Sequence, residues 1–105
     1  MRILFDQGTP VPLRDALPAH AVSTTYEMGW STLENGDLLL AAESQFELFV
    51  TTDQNLRYQQ NLAGRHLAIL VLPFASWPRL QAHAASIVSA INPLKPGDYV
   101  EFTLP

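Results

Sequence analysis

Two aspartates directly follow short apolar runs, which makes them the first candidates for chemistry. Asp6 follows residues 2–5, and Asp53 follows the run 46–52. A carboxylate at the end of a buried strand is costly unless it is solvated, hydrogen-bonded or coordinated, and two that converge need a cation or a shared proton. Mg²⁺ and Mn²⁺ prefer such oxygen ligands. The pair therefore predicts a cation site, and the alternative role of each residue is turn formation or helix capping.

Asp37 is the preferred third acid. It lies in the first turn of a helix that we expect over 36–44, with Asn35 as its cap. That helix leads directly into the strand before Asp53, so its N-terminus should point to the same edge of the sheet. The ordinary alternative is that the helix dipole alone favours an acid at this position.

A group of polar residues close to Asp53 could contact a phosphate or a base edge. They are Thr52, Asn55, Gln59, Gln60 and Asn61. The alternative is a polar helix face that only contacts solvent. The nearby Arg57 and Arg65 are isolated, and isolated arginines are usually solvated.

Other site chemistries lack their sequence patterns. The three histidines, His20, His66 and His83, are widely spaced, which argues against a local zinc site. The chain has no Gly-x-Ser-x-Gly elbow and no glycine-rich phosphate loop. A hydrolase triad and a nucleotide loop are therefore not expected.

Composition indicates one compact domain over residues 1–105. With 48% hydrophobic residues the chain can form a real core, and 15% charged residues fit buried strands. The formal charge of −4 and only six basic residues argue against broad electrostatic capture of nucleic acid. An acidic balance is also what a carboxylate cation site produces.

The absence of cysteine excludes disulfides and thiolate metal sites. The apolar run at the start of the chain stops at Asp6 and is too short for a signal peptide, and no stretch reaches membrane-spanning length. We therefore expect a cytoplasmic protein with no membrane partner.

Strand and helix patterns alternate along the chain. The predicted strands cover 2–5, 20–25, 46–52, 67–72 and 99–104, and the predicted helices cover 10–17, 36–44, 56–62 and 78–91. This order predicts a three-layer, doubly wound α/β fold with a mainly parallel sheet of about five strands and right-handed crossovers. Ligands bind such sheets beyond the carboxyl ends of the strands, at a switch point, where Asp6 and Asp53 would meet if their strands are neighbours.

The order of elements and acids resembles the short bacterial PIN-like domains, a branch of the PIN nuclease superfamily. The likeness spans nearly the whole chain and rests on segments 1–6, 27–30, 35–39, 50–56 and 58–62, of which the last two are the most specific. Within them, Val50-Thr51-Thr52-Asp53 carries the second aspartate.

The resemblance implies a metal-dependent endoribonuclease. Asp6, Asp37 and Asp53 match the acidic positions, with Thr51 or Thr52 supporting the last, and Mg²⁺ or Mn²⁺ would activate water for attack on a phosphodiester. RNA is the implied substrate. A cognate antitoxin is the implied partner, because many relatives look like toxins of toxin–antitoxin pairs, and a homodimer is a further expectation.

The chain departs from the family pattern at two points. Relatives often carry a second acid directly after the first aspartate, where this chain has Gln7, and a fourth acid is not evident. Glu27 or Glu34 could substitute for it. A domain with fewer ligands would bind a metal more weakly, which leaves a catalytically silent module that binds RNA or a protein as the alternative function.

A phosphorelay receiver domain is the remaining alternative. Receivers also have a doubly wound sheet, an aspartate after the third strand and a Lys-Pro pair, and this chain has Lys95-Pro96. However, receivers usually have paired acids after the first strand, and their Lys-Pro pair follows the fifth strand rather than preceding the last one.

Overall fold

The computed structural model describes residues 1–59 and 64–104, and these form an alternating series of strands and helices. The strands are β1 (Arg2–Phe5), β2 (Ala21–Thr24), β3 (Leu48–Thr51), β4 (Ala68–Val71) and β5 (Tyr99–Glu101). The helices are a 3-10 helix (Val11–Ala16), α1 (Asn35–Glu43), α2 (Leu56–Gln59), α3 (Trp77–Gln81) and α4 (Ala84–Ile91). No helix within these described ranges is long and apolar enough to cross a membrane.

The strands form one sheet in the order β2-β1-β3-β4-β5, and every neighbouring pair is parallel. The predicted five-stranded parallel α/β sheet is confirmed. Its strand order is the one found in flavodoxin-like doubly wound sheets. The central strands β3 and β4 are buried at every position, while β2 and β5 lie at the edges and keep exposed residues. Fully covered parallel strands need continuous apolar runs, which explains their sequences.

Helices cover both faces of the sheet and form the outer two layers. The 3-10 helix, α3 and α4 pack on one face, where Leu13, Leu80 and Ile87 are fully buried. On the other face, Leu39 of α1 and Leu56 of α2 pack around strand residues such as Phe49. Each face has its own apolar cluster, so the sheet is the middle layer of three.

The four crossovers do not share one hand. The crossover from β1 to β2 passes over the face covered by the 3-10 helix. The crossovers to β3 and then to β4 run along the sheet in the opposite direction and pass over the opposite face. Because both direction and face change, these three crossovers have the same hand. The crossover from β4 to β5 continues in that second direction but passes over the face of the 3-10 helix, so its hand is reversed. The expectation that all crossovers are right-handed is therefore wrong. Within the described residues, α3 and α4 cover the part of this face that the 3-10 helix leaves open.

The single helix expected over 78–91 is two helices. α3 begins at Trp77 with a proline in its first turn, as predicted for Pro78, and ends at Gln81. His83 leaves helical geometry with φ −114° and ψ 13°, and α4 starts after it. The regular spacing of apolar residues survives the break because both helices pack against the same cluster.

The expectation that Asn35 caps α1 is wrong, and the 3-10 helix also has no side-chain cap. The 3-10 helix begins after Pro10 without a side-chain cap. The Thr9 hydroxyl instead donates to the Val50 carbonyl oxygen at 2.9 Å in the interior. The N-cap of α1 is Glu34, also without a side-chain cap, and Asn35 is the first residue of the helix. In both cases the side chain bonds to a residue distant in the chain instead of to the helix backbone: Thr9 to Val50 on β3, and Asn35 to Asp53 just after β3.

Candidate functional site

The two aspartates lie at the same edge of the sheet. β1 and β3 are direct neighbours, with Phe5 paired to Val50, so Asp6 and Asp53 follow adjacent parallel strands at their carboxyl ends. β2 lies on the other side of β1, so the connections that leave β1 and β3 run in opposite directions along the sheet from this point. Open parallel sheets bind their ligands at such a switch point. Both aspartates are half-buried and therefore remain open to solvent.

The hydroxyl of Thr51 links the two aspartates. Thr51 is fully buried at the end of β3. Its Oγ1 donates to Asp6 Oδ2 at 2.8 Å and accepts a hydrogen bond from the Asp53 backbone N–H at 3.1 Å. A hydroxyl can donate and accept at once, so the two contacts are compatible. The Asp6 carboxylate is thus held within two hydrogen bonds of the Asp53 main chain.

The Asp53 carboxylate is fixed through both of its oxygens. Oδ1 accepts from the Asn55 backbone N–H at 2.9 Å, the usual contact of an aspartate that shapes its own turn. Oδ2 accepts from Nδ2 of Asn35 at 3.1 Å, which connects α1 to the site. Sequence reasoning assigned Asn35 to capping and missed this contact. The sequence did contain a feature that predicts this contact, because the start of α1 was expected at this edge and Asn35 is its first polar residue.

Asp37 lies outside this network. It is exposed in the first turn of α1, and its neighbour Asn35 is the α1 residue that reaches Asp53. Over 1–59 and 64–104, no three histidine, aspartate or glutamate side chains are grouped so that they could hold a metal ion. The structure therefore brings Asp6 and Asp53 together and does not add Asp37 to them.

Thr52 packs beneath the loop that follows Asp6. A Cβ atom added at Gly8 would lie 2.6 Å from Thr52 Oγ1, so only glycine allows this approach. The side-chain amide of Gln54 donates to the Thr52 carbonyl oxygen and to that of Leu72. It ties the end of β3 to the end of β4, a role that sequence reasoning did not assign.

The other predicted substrate-binding residues follow Asp53 into α2. Asn55 is exposed and contributes its backbone N–H to the Asp53 turn. Gln59 is the last described residue of α2. Gln60 and Asn61 lie outside the described residues, so their role remains a prediction.

The two glutamates considered as a further acid have other positions. Glu27 pairs with Arg14 through contacts of 2.8 Å and 3.2 Å, and it accepts a hydrogen bond from the Thr24 backbone N–H at 2.9 Å. The Arg14 guanidinium, followed by the Thr24 backbone, lowers the pKa of the Glu27 carboxyl. Glu34 is exposed at the N-cap of α1. Glu27 is therefore engaged by a cation of the chain itself.

The basic residues do not form a free cluster. All six lie in the described part of the chain. Four of them form ion pairs with glutamates: Arg2, Arg14, Arg57 and Arg65. The guanidinium of Arg79 lies 3.8 Å from the centre of the Phe74 ring. These pairings partly offset the positive charge that contacts with a phosphate backbone would use.

The position of Lys95 argues against the receiver alternative. Lys95 precedes β5, and the turn that follows it is bonded to the chain before β4, through Gly97 N–H and the His66 carbonyl oxygen at 2.9 Å. It therefore lies at the amino edge of the sheet. Asp53 lies at the carboxyl edge, so the two residues are on opposite ends of the strands.

The donor set at the carboxyl edge fits a hard divalent cation. Each described oxygen of the two carboxylates already accepts one hydrogen bond, including Asp6 Oδ1, which accepts from the Gln7 backbone N–H at 2.8 Å. A carboxylate oxygen has a second lone pair, so each can still serve as a ligand. Mg²⁺ is commonly held by one or two carboxylates and several waters. Asp6 and Asp53 suit that mode of binding, without a third acid.

Comparisons with known proteins identify no relative: no protein-family model, no curated protein and no solved structure matches this chain.

Proposed function

We propose that the chain is a PIN-like nuclease that binds one Mg²⁺ or Mn²⁺ between Asp6 and Asp53 and hydrolyses phosphodiester bonds in RNA. The observation that carries the proposal is the Thr51 hydroxyl, which holds the two aspartates together at the switch point of a parallel sheet. A buried threonine used in this way fixes the Asp6 carboxylate relative to the main chain of Asp53.

The residues of the site divide the work of binding and orientation. Asp6 and Asp53 supply the oxygen ligands, and Thr51 sets their relative position. Asn35 holds Oδ2 of Asp53 and so fixes the rotation of that carboxylate. When bound, a divalent cation lowers the pKa of a coordinated water and offsets the charge on a phosphodiester. RNA as the substrate and an antitoxin as the partner are supported by the likeness of segments 50–56 and 58–62 to PIN-like domains.

Cleavage of a labelled single-stranded RNA with and without Mn²⁺ tests the proposal. We expect cation-dependent cleavage by the natural chain and its loss in Asp6→Asn and Asp53→Asn, because each change replaces a ligand oxygen with an amide. Asp15→Asn is the matched control, since Asp15 is an exposed carboxylate on the 3-10 helix. Absence of Mn²⁺-dependent cleavage in the natural chain, or cleavage that survives Asp53→Asn, would refute it.

A catalytically silent binding module is the second candidate, and Asn35 is the observation that favours it. The side chain next to Asp53 is an amide donor, which satisfies the carboxylate with a hydrogen bond rather than adding a third acid. Calorimetric titration with Mn²⁺ separates the two functions. If the natural chain binds no Mn²⁺ but Asn35→Asp does, the site is one acid short of a working centre and the silent module is favoured.

A further inference from the structure

The amino edge of the sheet, opposite the aspartates, contains a cavity of about 250 Å³. Its apolar wall is made by Met1, Phe46, Leu94 and Pro96. Phe46 is only 9% exposed and belongs to the apolar cluster on the face of α1, so this wall is continuous with the core. The cavity therefore offers an apolar surface to a small molecule.

Backbone hydrogen bonds hold the frame of the cavity in place. The Glu47 N–H donates to the Arg2 carbonyl oxygen at 2.8 Å, and the Ala68 N–H donates to the Glu47 carbonyl oxygen at 3.0 Å. On the far side, the Gly97 N–H donates to the His66 carbonyl oxygen at 2.9 Å. These bonds join the starts of neighbouring strands, so the cavity exists before any ligand arrives and its binding needs little reorganisation.

The turn that carries Lys95 is closed by its own residues. The Asp98 N–H donates to the Lys95 carbonyl oxygen at 3.0 Å, and Asp98 Oδ2 accepts from the Lys95 backbone N–H at 2.9 Å. Gly97 has a φ of 85°, and a Cβ there would lie 3.1 Å from the Arg65 carbonyl oxygen. A glycine at this position thus lets the turn dock closely and brings Lys95 to the rim.

The polar groups at the rim favour an anion. Glu47 accepts a hydrogen bond from the Arg2 backbone N–H at 2.9 Å, and the Arg2 guanidinium lies 3.9 Å from the same carboxylate oxygen, which offsets its charge. Among the ion pairs of residues 1–59 and 64–104, none involves Lys95. Lys95 and His66 line the cavity together with the apolar residues, and an ammonium or an imidazole N–H can donate to an anion.

We propose that this cavity binds a small carboxylate with an apolar body, such as an aromatic acid. The apolar body lies against Phe46 and Leu94, and the carboxylate pairs with Lys95 and accepts a hydrogen bond from His66. A carboxylate on a small apolar molecule matches this lining, because Lys95 and His66 can pair with its charge while the apolar wall covers its body. This site is independent of the aspartates and of the proposed nuclease function.

A titration of the ¹⁵N-labelled chain with benzoate, followed by amide chemical shifts, tests the proposal. We expect saturating shifts at Glu47, His66 and Gly97. The neutral isostere benzamide should bind about fivefold more weakly, since a partly exposed ion pair contributes at most that much. Shifts that do not saturate, that map to other residues, or that are equal for the two probes would overturn the proposal.

Two variants and a matched control identify the groups responsible. Lys95→Met should weaken benzoate binding to the level of benzamide, while Arg79→Met, the same change of charge at the other edge of the sheet, should leave it unchanged. Leu94→Trp should fill the cavity and abolish binding of both probes, with amide dispersion confirming that the variant is folded. Unchanged benzoate affinity in Lys95→Met contradicts the assigned charge contact.

Discussion

Replacing Thr51 with valine tests whether its hydroxyl holds the two aspartates together. Valine has nearly the same shape, so the change removes the hydroxyl without opening a large cavity in the fully buried end of β3. It deletes the hydrogen bond to Asp6 Oδ2 at 2.8 Å and leaves the Asp53 backbone N–H without its acceptor at 3.1 Å. The loss should affect both stability and cation binding.

The magnitude follows from the two bonds. A hydrogen bond to a charged group contributes about 1.5 to 3 kcal/mol, and one between neutral groups contributes about 1 kcal/mol. Asp6 and Asp53 are both half-buried, so water can replace part of each contact. The added methyl of valine also gains some apolar burial. We therefore expect the free energy of unfolding to fall by about 1 to 2 kcal/mol.

Urea unfolding followed by circular dichroism measures this change as a lower midpoint with an unchanged slope. Thr103→Val is the matched control, because Thr103 is exposed after β5. The same variants titrated with Mn²⁺ should show weaker binding only for Thr51→Val. A Thr51→Val protein within about 0.5 kcal/mol of the natural chain, with unchanged Mn²⁺ affinity, would refute the linking role of the hydroxyl.

Two further predictions concern Glu27 and Gly8. Because its pairing with Arg14 lowers the Glu27 pKa below the ordinary 4.5, its stabilisation is complete above pH 4.5 and is lost as pH falls through the lowered value. Glu27→Gln should therefore reduce the fall of the urea midpoint between neutral pH and about pH 3. An acid profile of Glu27→Gln identical to that of the natural chain would contradict this. Gly8→Ala should cost about 1 to 3 kcal/mol, because its Cβ would lie 2.6 Å from Thr52 Oγ1. Adding Thr52→Ala should recover most of that loss, and a purely additive double variant would exclude the clash.

Those features of the fold could be predicted whose physical cause lies within one short segment of the chain. The continuous apolar runs that became β3 and β4 can be buried only inside a sheet covered on both sides, so they predict central parallel strands. The helix break at His83 could not be predicted, because Leu80, Ile87 and Ile91 keep their apolar spacing across it. The reversed crossover into β5 could not be predicted either, because it depends on which face of the sheet is not already covered by other helices.

The site could be predicted only in part for a related reason. Asp6 and Asp53 each end a strand, and that position can be read locally. Asn35 and Asp37 are two residues apart in one helical turn, and both have types that suit a helix start. Their residue types and positions in the sequence therefore do not predict which of the two side chains contacts Asp53. The rotation of α1 on the sheet decides it, and that rotation is set by the burial of Leu38, Leu39 and Ala42.

By itself, the sequence determined the order of strands and helices, the buried central strands and the two aspartates at strand ends, because each of these follows from local apolar patterns and chain breaks. Only the tertiary structure decided that β1 and β3 are neighbours and that the buried Thr51 hydroxyl links their aspartates. It also decided that Asn35 rather than Asp37 contacts Asp53. Hydrogen bonds between residues far apart in the chain depend on how the layers pack, and no local pattern carries that information.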